Sequence, residues 1–449
     1  MSVTWCRRAL VGGRFEAGVR IEADASGRVT RLTVGAPDDG AGLRLGTVVP
    51  GFGNAHSHLF HRALRGRTHG DGGDFWSWRE QMYAVAGALD PDRYRALAAA
   101  VFAEMLAAGY TAVGEFHYVH HRPGGAPYPD HDMELALADA AEEIGLRLTL
   151  LDTCYLRGGL DRPLEPAQRR FGDGSAEAWL ERWHRLRDRL GHRRLVTLGA
   201  AVHSVRAVTE ADVAAVVAGL PAGTPLHAHV SEQPRENEEC LARTGLTPTG
   251  LLARAGALSP HFTAVHATHL TGADVGLLGG AGASVALCPT TEADLADGIG
   301  PARTLADAGV RVAIGSDQNA VVDPVLELRA AEAHERLASG RRGVFDPAEL
   351  WLMGTANGYA SLGLADPRAV PGLAVGDLCD LVELDDASAR TVGSRPEQLV
   401  LAATAADVRT VVVGGRVRPV PDVAALLADA LGALGTPSTL SSPGAVSAS

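Results

Sequence analysis

Two histidines close an apolar run, in Val48-Val-Pro-Gly-Phe-Gly-Asn-Ala-His56-Ser-His58. Residues two apart on a β-strand point to one face. His56 and His58 would therefore aim two imidazoles at one spot, which is what a divalent cation needs. A lone His-x-His pair is a weak signal. Its weight here comes from further His, Glu and Asp residues that follow later apolar runs. Glu115, His117, Tyr118, His120 and His121 follow one run; His203 and Arg206 follow another; His227, His229 and Glu232 a third. His266 and His269, then Cys288, Glu292 and Asp294, then Asp317, Gln318 and Asn319 follow the last three. Much of the chain's complement of 17 histidines is thus gathered at run ends, and a catalytic metal is the chemistry such a gathering supports.

The runs that carry these residues start near Thr47, Thr111, Leu146, Leu195, Pro225, Phe262, Ala283 and Val310. Helix-like segments lie between them, among them Asp92 to Ala108, Met133 to Glu143, Ala176 to Leu190, Glu210 to Gly219 and Arg303 to Ala308. Eight strands alternating with helices predict an α/β fold, a parallel TIM-like (β/α)8 barrel, whose sites lie at the strand C-termini. The first fifty residues read instead as short strands, such as Val19 to Glu22 and Val29 to Val34. Strand-like runs return at Asp380 to Leu384, Leu399 to Thr404 and Thr410 to Val417, the last with a Gly414-Gly415 turn. The two ends are expected to fold together as a small β-sandwich. The expected divisions are 1–47 and 371–420 for the sandwich, 48–370 for the barrel, and 421–449 for a C-terminal helix and a disordered Ser/Gly/Pro/Ala-rich tail.

Composition narrows the function. The chain has 449 residues, 46% of them hydrophobic, and a formal net charge of −12. That acidity disfavours non-specific binding to nucleic acid or anionic membranes. No apolar run is long enough to span a bilayer, and no basic-then-apolar leader opens the chain. Five scattered cysteines without a Cys-x-x-Cys fit a reduced, cytoplasmic protein. Every one of the 41 basic residues counted as Lys or Arg is arginine. Lysine Schiff-base chemistry is excluded, as is a two-metal site bridged by a modified lysine.

The metal-ligand pattern resembles the amidohydrolase superfamily over roughly residues 45 to 420. Its marks fall on His56, His58, His229, His266 and Asp317. Without lysine, the resemblance implies the mononuclear subtype: His56, His58, His229 and Asp317 on one divalent metal, zinc by default, with His266 and Glu232 as helpers. Finer motifs are similar to the formimidoylglutamate deiminase family: Phe75-Trp-Ser-Trp-Arg79-Glu, Glu115-Phe-His-Tyr-Val-His-His121, His203-Ser-Val-Arg206 and Thr290-Thr-Glu-Ala-Asp-Leu-Ala-Asp-Gly298. Two positions depart from that pattern. His61 stands where a substrate-binding Gln is expected, and Gln318 where Ser is more frequent. The resemblance implies hydrolysis of the C=N bond of N-formimidoyl-L-glutamate to N-formyl-L-glutamate and ammonia, in histidine degradation.

That reaction assigns roles. Asp317 would ligate the metal and take a proton from water, His266 would polarise that water, and Glu232 would carry a proton to the departing nitrogen. A small acidic substrate needs local cations in so acidic a protein. Arg206 is the first choice, because a guanidinium forks onto a carboxylate. His61, Arg79, Tyr118 and His203 complete the expected substrate contacts. His120, His121, His227 and His269 are read as supporting residues. A homodimer is implied by the resemblance. The rival within the enzyme class is an aminohydrolase of a heterocyclic base or triazine. The rival from another class is a metal-free barrel scaffold, which predicts broken ligand positions.

Overall fold

The computed structural model describes residues 2–68, 75–366 and 372–435; the side chains of residues 75–77 are outside this description. The chain opens with four strands, β1 (Ser2–Val11), β2 (Arg14–Ala23), β3 (Val29–Thr33) and β4 (Leu43–Pro50). Eight more follow: β5 (Phe52–Ser57), β6 (Tyr110–His117), β7 (Arg147–Cys154), β8 (Val196–Val202), β9 (Leu226–Val230), β10 (Phe262–His266), β11 (Ser284–Leu287) and β12 (Arg311–Ile314). The last three are β13 (Leu381–Leu384), β14 (Val408–Val413) and β15 (Arg416–Val417). Strands β5 to β12 pair in sequence order, all parallel. The ring closes where Ser57 bridges Asp317: the His58 amide donates to the Asp317 carbonyl (2.8 Å) and the Asp317 amide to the His56 carbonyl (3.0 Å). Closure thus occurs at the residues that carry the candidate ligands.

The helices between strands are α1 (Phe75–Ala88), α2 (Pro91–Ala107), α3 (Asp132–Ile144), α4 (Ala176–Leu190), α5 (Glu210–Gly219), α6 (Pro234–Thr244), α7 (Pro248–Arg254) and α8 (Gly272–Gly280). Then come α9 (Pro289–Asp294), α10 (Ala302–Asp307), α11 (Pro324–Ser339), α12 (Pro347–Gly354), α13 (Ala356–Ser361) and α14 (Val423–Leu434). Local signals explain why α4 and α5 match the sequence expectation end to end. Ser175 caps α4 by accepting from the Ala178 amide, and Gly191 follows its last residue. A Thr209–Asp212 capping box opens α5. The apolar faces of these helices pack on the barrel strands in one continuous core, with Trp179 and Trp183 of α4 fully buried in it.

The two chain ends form a seven-stranded mixed sheet in the order β15-β14-β13-β4-β1-β2-β3. Strand β4 is its seam, parallel to β1 and antiparallel to β13. The run expected to open the barrel near Thr47 is therefore divided. Thr47 to Pro50 belong to β4, and the first barrel strand starts at Phe52. Pro50-Gly51 makes the break, and a Cβ on Gly51 would fall within 2 Å of the Thr111 hydroxyl, so only glycine fits the crossing. The strand expected over Leu399 to Thr404 is instead a 3₁₀ turn, Pro396–Leu401, followed by a second at Ala405–Asp407. Leu399 and Val400 are buried against α11 and α12, and Trp351 donates its indole N–H to the Glu397 carbonyl. A short apolar run carries no period that separates this docked turn from a strand. The expected C-terminal helix is α14; the expected disordered tail, residues 436–449, lies outside the described residues, as do residues 367–371 at the expected end of the barrel.

A buried ion pair ties the sheet to the barrel. Arg147 on β7 donates through Nε and Nη2 to Asp380 (2.6 and 3.0 Å). Asp380 also accepts from the Tyr359 hydroxyl and the Gly414 amide.

Candidate metal centre and active site

At the C-terminal mouth of the barrel three imidazole nitrogens converge. The Nε2 atom of His229 lies 3.2 Å from Nε2 of His58 and 3.3 Å from Nε2 of His56. Asp317 Oδ1 lies 3.3 Å from His56 Nε2 and 3.7 Å from His58 Nε2. Ligands roughly 2.0–2.1 Å from one tetrahedral centre stand about 3.3 Å apart, so these spacings fit a single four-coordinate ion. The outer nitrogens support the same reading. His58 Nδ1 sits 3.0 Å from the Phe116 carbonyl and His229 Nδ1 2.9 Å from the His203 carbonyl. Each must donate a proton there, which leaves the Nε2 lone pairs facing inward. Burial and the neighbouring imidazoles hold all three rings neutral, with His58 pushed down to about 3. Three neutral lone pairs and a carboxylate in mutual contact are the donor set of a zinc-type cation.

His266 is the complement. Burial disfavours its charge, but Glu232, Glu292 and Asp317 outweigh that and lift its pKa to about 10. Its Nδ1 faces Glu292 Oε1 (3.4 Å), while its Nε2 faces Glu232 Oε1 (3.8 Å) and Asp317 Oδ2 (3.9 Å). The His266 ring therefore stands between the two acids expected to move protons. His266 and Asp317 both have positive φ, 65° and 44°. Such backbone costs of order 1–3 kcal/mol and is held here by barrel closure. Gly315 makes that closure possible, because a Cβ there would lie 2.8–3.0 Å from His56 atoms.

A second tier fixes these groups. Asn54 donates to the Ser316 hydroxyl, Ser316 donates to Asn319 Oδ1, and Asn319 Nδ2 donates to the His58 and Asp317 carbonyls. This chain of side chains joins the first and last barrel strands beneath the ligands. Glu292 also accepts from the Cys288 amide (2.8 Å). A second His/Glu group, His117, His120 and Glu134, lies in the wall behind β6, but Arg182 already pairs with Glu134 there. His121 pairs with Asp173, and His227 and His269 meet the Ser361 and Asp297 carbonyls. These contacts hold the rings in the barrel wall, away from the ligand cluster.

The amidohydrolase family model matches residues 47–418, which take in the whole barrel and the sheet strands β13 to β15. The chain belongs to the amidohydrolase family. Among its relatives, a formimidoylglutamate deiminase from Pseudomonas aeruginosa is 37% identical over 93% of this chain and 94% of its own. An 8-oxoguanine deaminase from the same species is 30% identical, covering 95% and 97%. Among solved structures, an amidohydrolase from Brucella melitensis superposes with a TM-score of 0.89 at 32% identity, covering 97% of this chain and all of its own. An adenosine deaminase from Xanthomonas campestris, solved with bound zinc, shares the fold at a TM-score of 0.81 and 24% identity, covering 97% and 98%.

In this amidohydrolase a cavity of about 390 Å³ opens beside the ligand cluster. His58, His229, His266, Asp317 and Glu232 line its floor; His61, Arg79, Tyr118, His203 and Arg206 line its walls. His56 is fully buried beneath them. All the residues expected to contact substrate thus meet one space. Arg206 Nη2 lies 3.5 Å from Glu232 Oε2 and its Nε 3.8 Å from Glu236 Oε1. Neither contact is short enough for a good hydrogen bond, and the buried Nε of Arg206 has no hydrogen-bond partner among the described residues. Arg79 donates from Nε to the Tyr83 hydroxyl (2.8 Å). Burial and nearby cations or imidazoles push the pKa values of His203 and His61 well down, so both rings are neutral. His61 Nε2 meets the Tyr118 hydroxyl at 3.1 Å, and the His203 carbonyl orients His229. Gln318 turns away from the ligands to donate to Asp294 (2.6 Å). Sequence reasoning missed Asn54, Ser316 and Asn319 as a tier, and it missed Tyr83 and Tyr155 on the wall and Gln168 behind them. Tyr155 follows β7 directly, the one barrel strand to which no site residue had been assigned.

Proposed function

We propose that this amidohydrolase hydrolyses the C=N bond of N-formimidoyl-L-glutamate, giving N-formyl-L-glutamate and ammonia. The observation that carries this reading is the cavity itself. It joins a hydrolytic His/Asp floor to walls bearing Arg206 and Arg79, in a chain whose net charge of −12 would otherwise repel a dicarboxylate. The chain's similarity to the Pseudomonas aeruginosa deiminase supports the same substrate.

His56, His58, His229 and Asp317 would hold one divalent ion, zinc in our reading. When bound, such an ion supplies Lewis acidity that brings the ionisation of a water down to roughly pH 7. With such an ion bound, Asp317 would take one proton from the attacking water, and His266 would hold the oxygen as it adds to the carbon of the protonated formimidoyl group. Glu232, between His266 and Arg206, would carry that proton to the terminal nitrogen; the C–N bond then breaks to release ammonia, and the remaining hydroxyl proton passes to Asp317 as the formyl C=O forms. Arg206 binds one substrate carboxylate, with His203 and Tyr118 as neutral donors beside it. A place in histidine degradation, a cytoplasmic site and a homodimer complete this reading. No helix among the described residues is long and apolar enough to cross a membrane.

Ammonia release from N-formimidoyl-L-glutamate, compared with 8-oxoguanine, guanine and cytosine, tests the assignment. The heterocycle deaminase reading, favoured by the 30% identity to 8-oxoguanine deaminase, predicts the reverse preference and no need for Arg206.

A further inference from the structure

Gln168 is completely buried, and its amide has one consistent orientation: Oε1 accepts from the Glu165 amide at 2.8 Å, which only an oxygen can do. Its Nε2 then carries two protons, and it places one on each of two tyrosines. It donates to the Tyr83 hydroxyl and to the Tyr155 hydroxyl, each at 3.0 Å. Tyr83 accepts a second bond from Arg79 Nε. Both lone pairs of Tyr83 are thus engaged, and Tyr155 has one engaged. Among the described residues, no acceptor receives either hydroxyl proton. Both tyrosines line the cavity, and Tyr155 is only 8% exposed. Burial raises both phenol pKa values, so both remain donors at neutral pH.

Position in the pocket gives these donors a target. The Tyr155 ring packs at 4.3 Å from His203, which packs at 5.0 Å from the ligand His229. The tyrosine pair therefore lies one layer farther from the candidate metal than Tyr118 and His203. Because each hydroxyl is 3.0 Å from one nitrogen, the two oxygens are at most 6 Å apart, a span one carboxylate can bridge. We propose that Tyr83 and Tyr155, oriented by Gln168 and assisted by Arg79, form the subsite for the side-chain carboxylate of the substrate. Gln168 is a positioning residue: it takes one lone pair of each hydroxyl, which leaves each proton to turn toward the cavity. This rests on the formimidoylglutamate reading above, and it assigns that substrate's second carboxylate, the one not held by Arg206.

Kinetics of Tyr83→Phe, Tyr155→Phe and Gln168→Glu test it, on metal-loaded full-length protein. The substrates are N-formimidoyl-L-glutamate and an analogue with its side-chain carboxylate replaced by methyl. Each Phe variant should raise KM for the dicarboxylate about 10-fold or more, the usual scale for a lost charge-assisted bond, and change kcat less than threefold. Gln168→Glu should raise it further, because a carboxylate draws both hydroxyl protons to itself. KM for the methyl analogue should stay within twofold in every variant. Equal rises for both substrates, or an unchanged KM in both Phe variants, overturn the subsite. Binding of glutarate by calorimetry separates this from the function reading. If the wild type does not turn over formimidoylglutamate yet binds glutarate, and both Phe variants weaken that binding, the substrate reading falls and the donor pair stands. Glutarate affinity equal in wild type and both variants overturns the donor pair.

Discussion

Replacing Arg206 with alanine should separate carboxylate recognition from everything else Arg206 does. Its Nε is buried without a hydrogen-bond partner among the described residues, and its contacts to Glu232 and Glu236, at 3.5 and 3.8 Å, are long. The guanidinium fork is therefore available to a ligand. A charge-assisted hydrogen bond contributes about 1.5–3 kcal/mol, so its loss should lower kcat/KM for N-formimidoyl-L-glutamate by at least roughly 10-fold, and up to about 100-fold. A second effect falls on every substrate. Glu236 is buried, and burial already raises its pKa against the pull of Arg206. Without Arg206, Glu236 and Glu232 face each other with no cation between them. The informative quantity is therefore a ratio: kcat/KM for the natural substrate against a carboxylate-free formimidoyl compound, both from a coupled ammonia assay. The ratio should fall at least about 10-fold. Equal losses on the two substrates would show that Arg206 only supports Glu232 and Glu236, and would weaken the substrate assignment with it.

Glu232→Gln keeps shape but cannot transfer a proton; metal content should stay near wild type while kcat falls roughly 10²-fold or more, and a raised KM with kcat intact would make Glu232 a binding residue. His56→Ala, His58→Ala, His229→Ala and Asp317→Ala should each remove metal and activity together by elemental analysis and ammonia assay; activity surviving His229→Ala would refute the ligand set. Asp407 accepts from Arg390, Ser388 and the Thr404 amide, and although burial opposes it these bonds hold its pKa down to about 2. Its stabilising contribution is complete above the unfolded carboxylate range near pH 4 and is lost as pH falls through about 2. Asp407→Asn should therefore lower stability in urea unfolding at pH 7, with the difference from wild type shrinking between pH 4 and 2; a difference independent of pH would contradict it.

How much of this was legible beforehand depends on whether a residue acts alone or through a partner. His56 and His58 declare themselves by strand period, and His229, His266 and Asp317 by following apolar runs. Those features are local, so the barrel and the gathering of these residues at its mouth were legible, while the choice of His56, His58, His229 and Asp317 as ligands rested on the family resemblance. Helices α4 and α5 were equally plain, because Ser175, Gly191 and the Thr209–Asp212 box mark their ends. The boundary at β4 was not. Thr47 to Pro50 and Phe52 to Ser57 look alike as apolar runs, and only pairing with β1 and β13 separates them. The turn at Pro396–Leu401 was hidden for the same reason, since its apolar residues answer to α11 and α12 rather than to a period. Charge state was also invisible. His61, His203 and His266 are the same residue type, yet burial leaves the first two neutral while three carboxylates raise the pKa of the third. The Tyr83–Gln168–Tyr155 set joins α1, a 3₁₀ turn and the end of β7, and no spacing along the chain announces it.

Product analysis with controlled metal content tests the central claim most directly. Purified protein should convert N-formimidoyl-L-glutamate to N-formyl-L-glutamate and ammonia in equal amounts, lose that turnover on chelation, and regain it with one equivalent of zinc per chain. Absence of ammonia from the zinc-loaded protein, or turnover that survives complete removal of metal, would contradict the account.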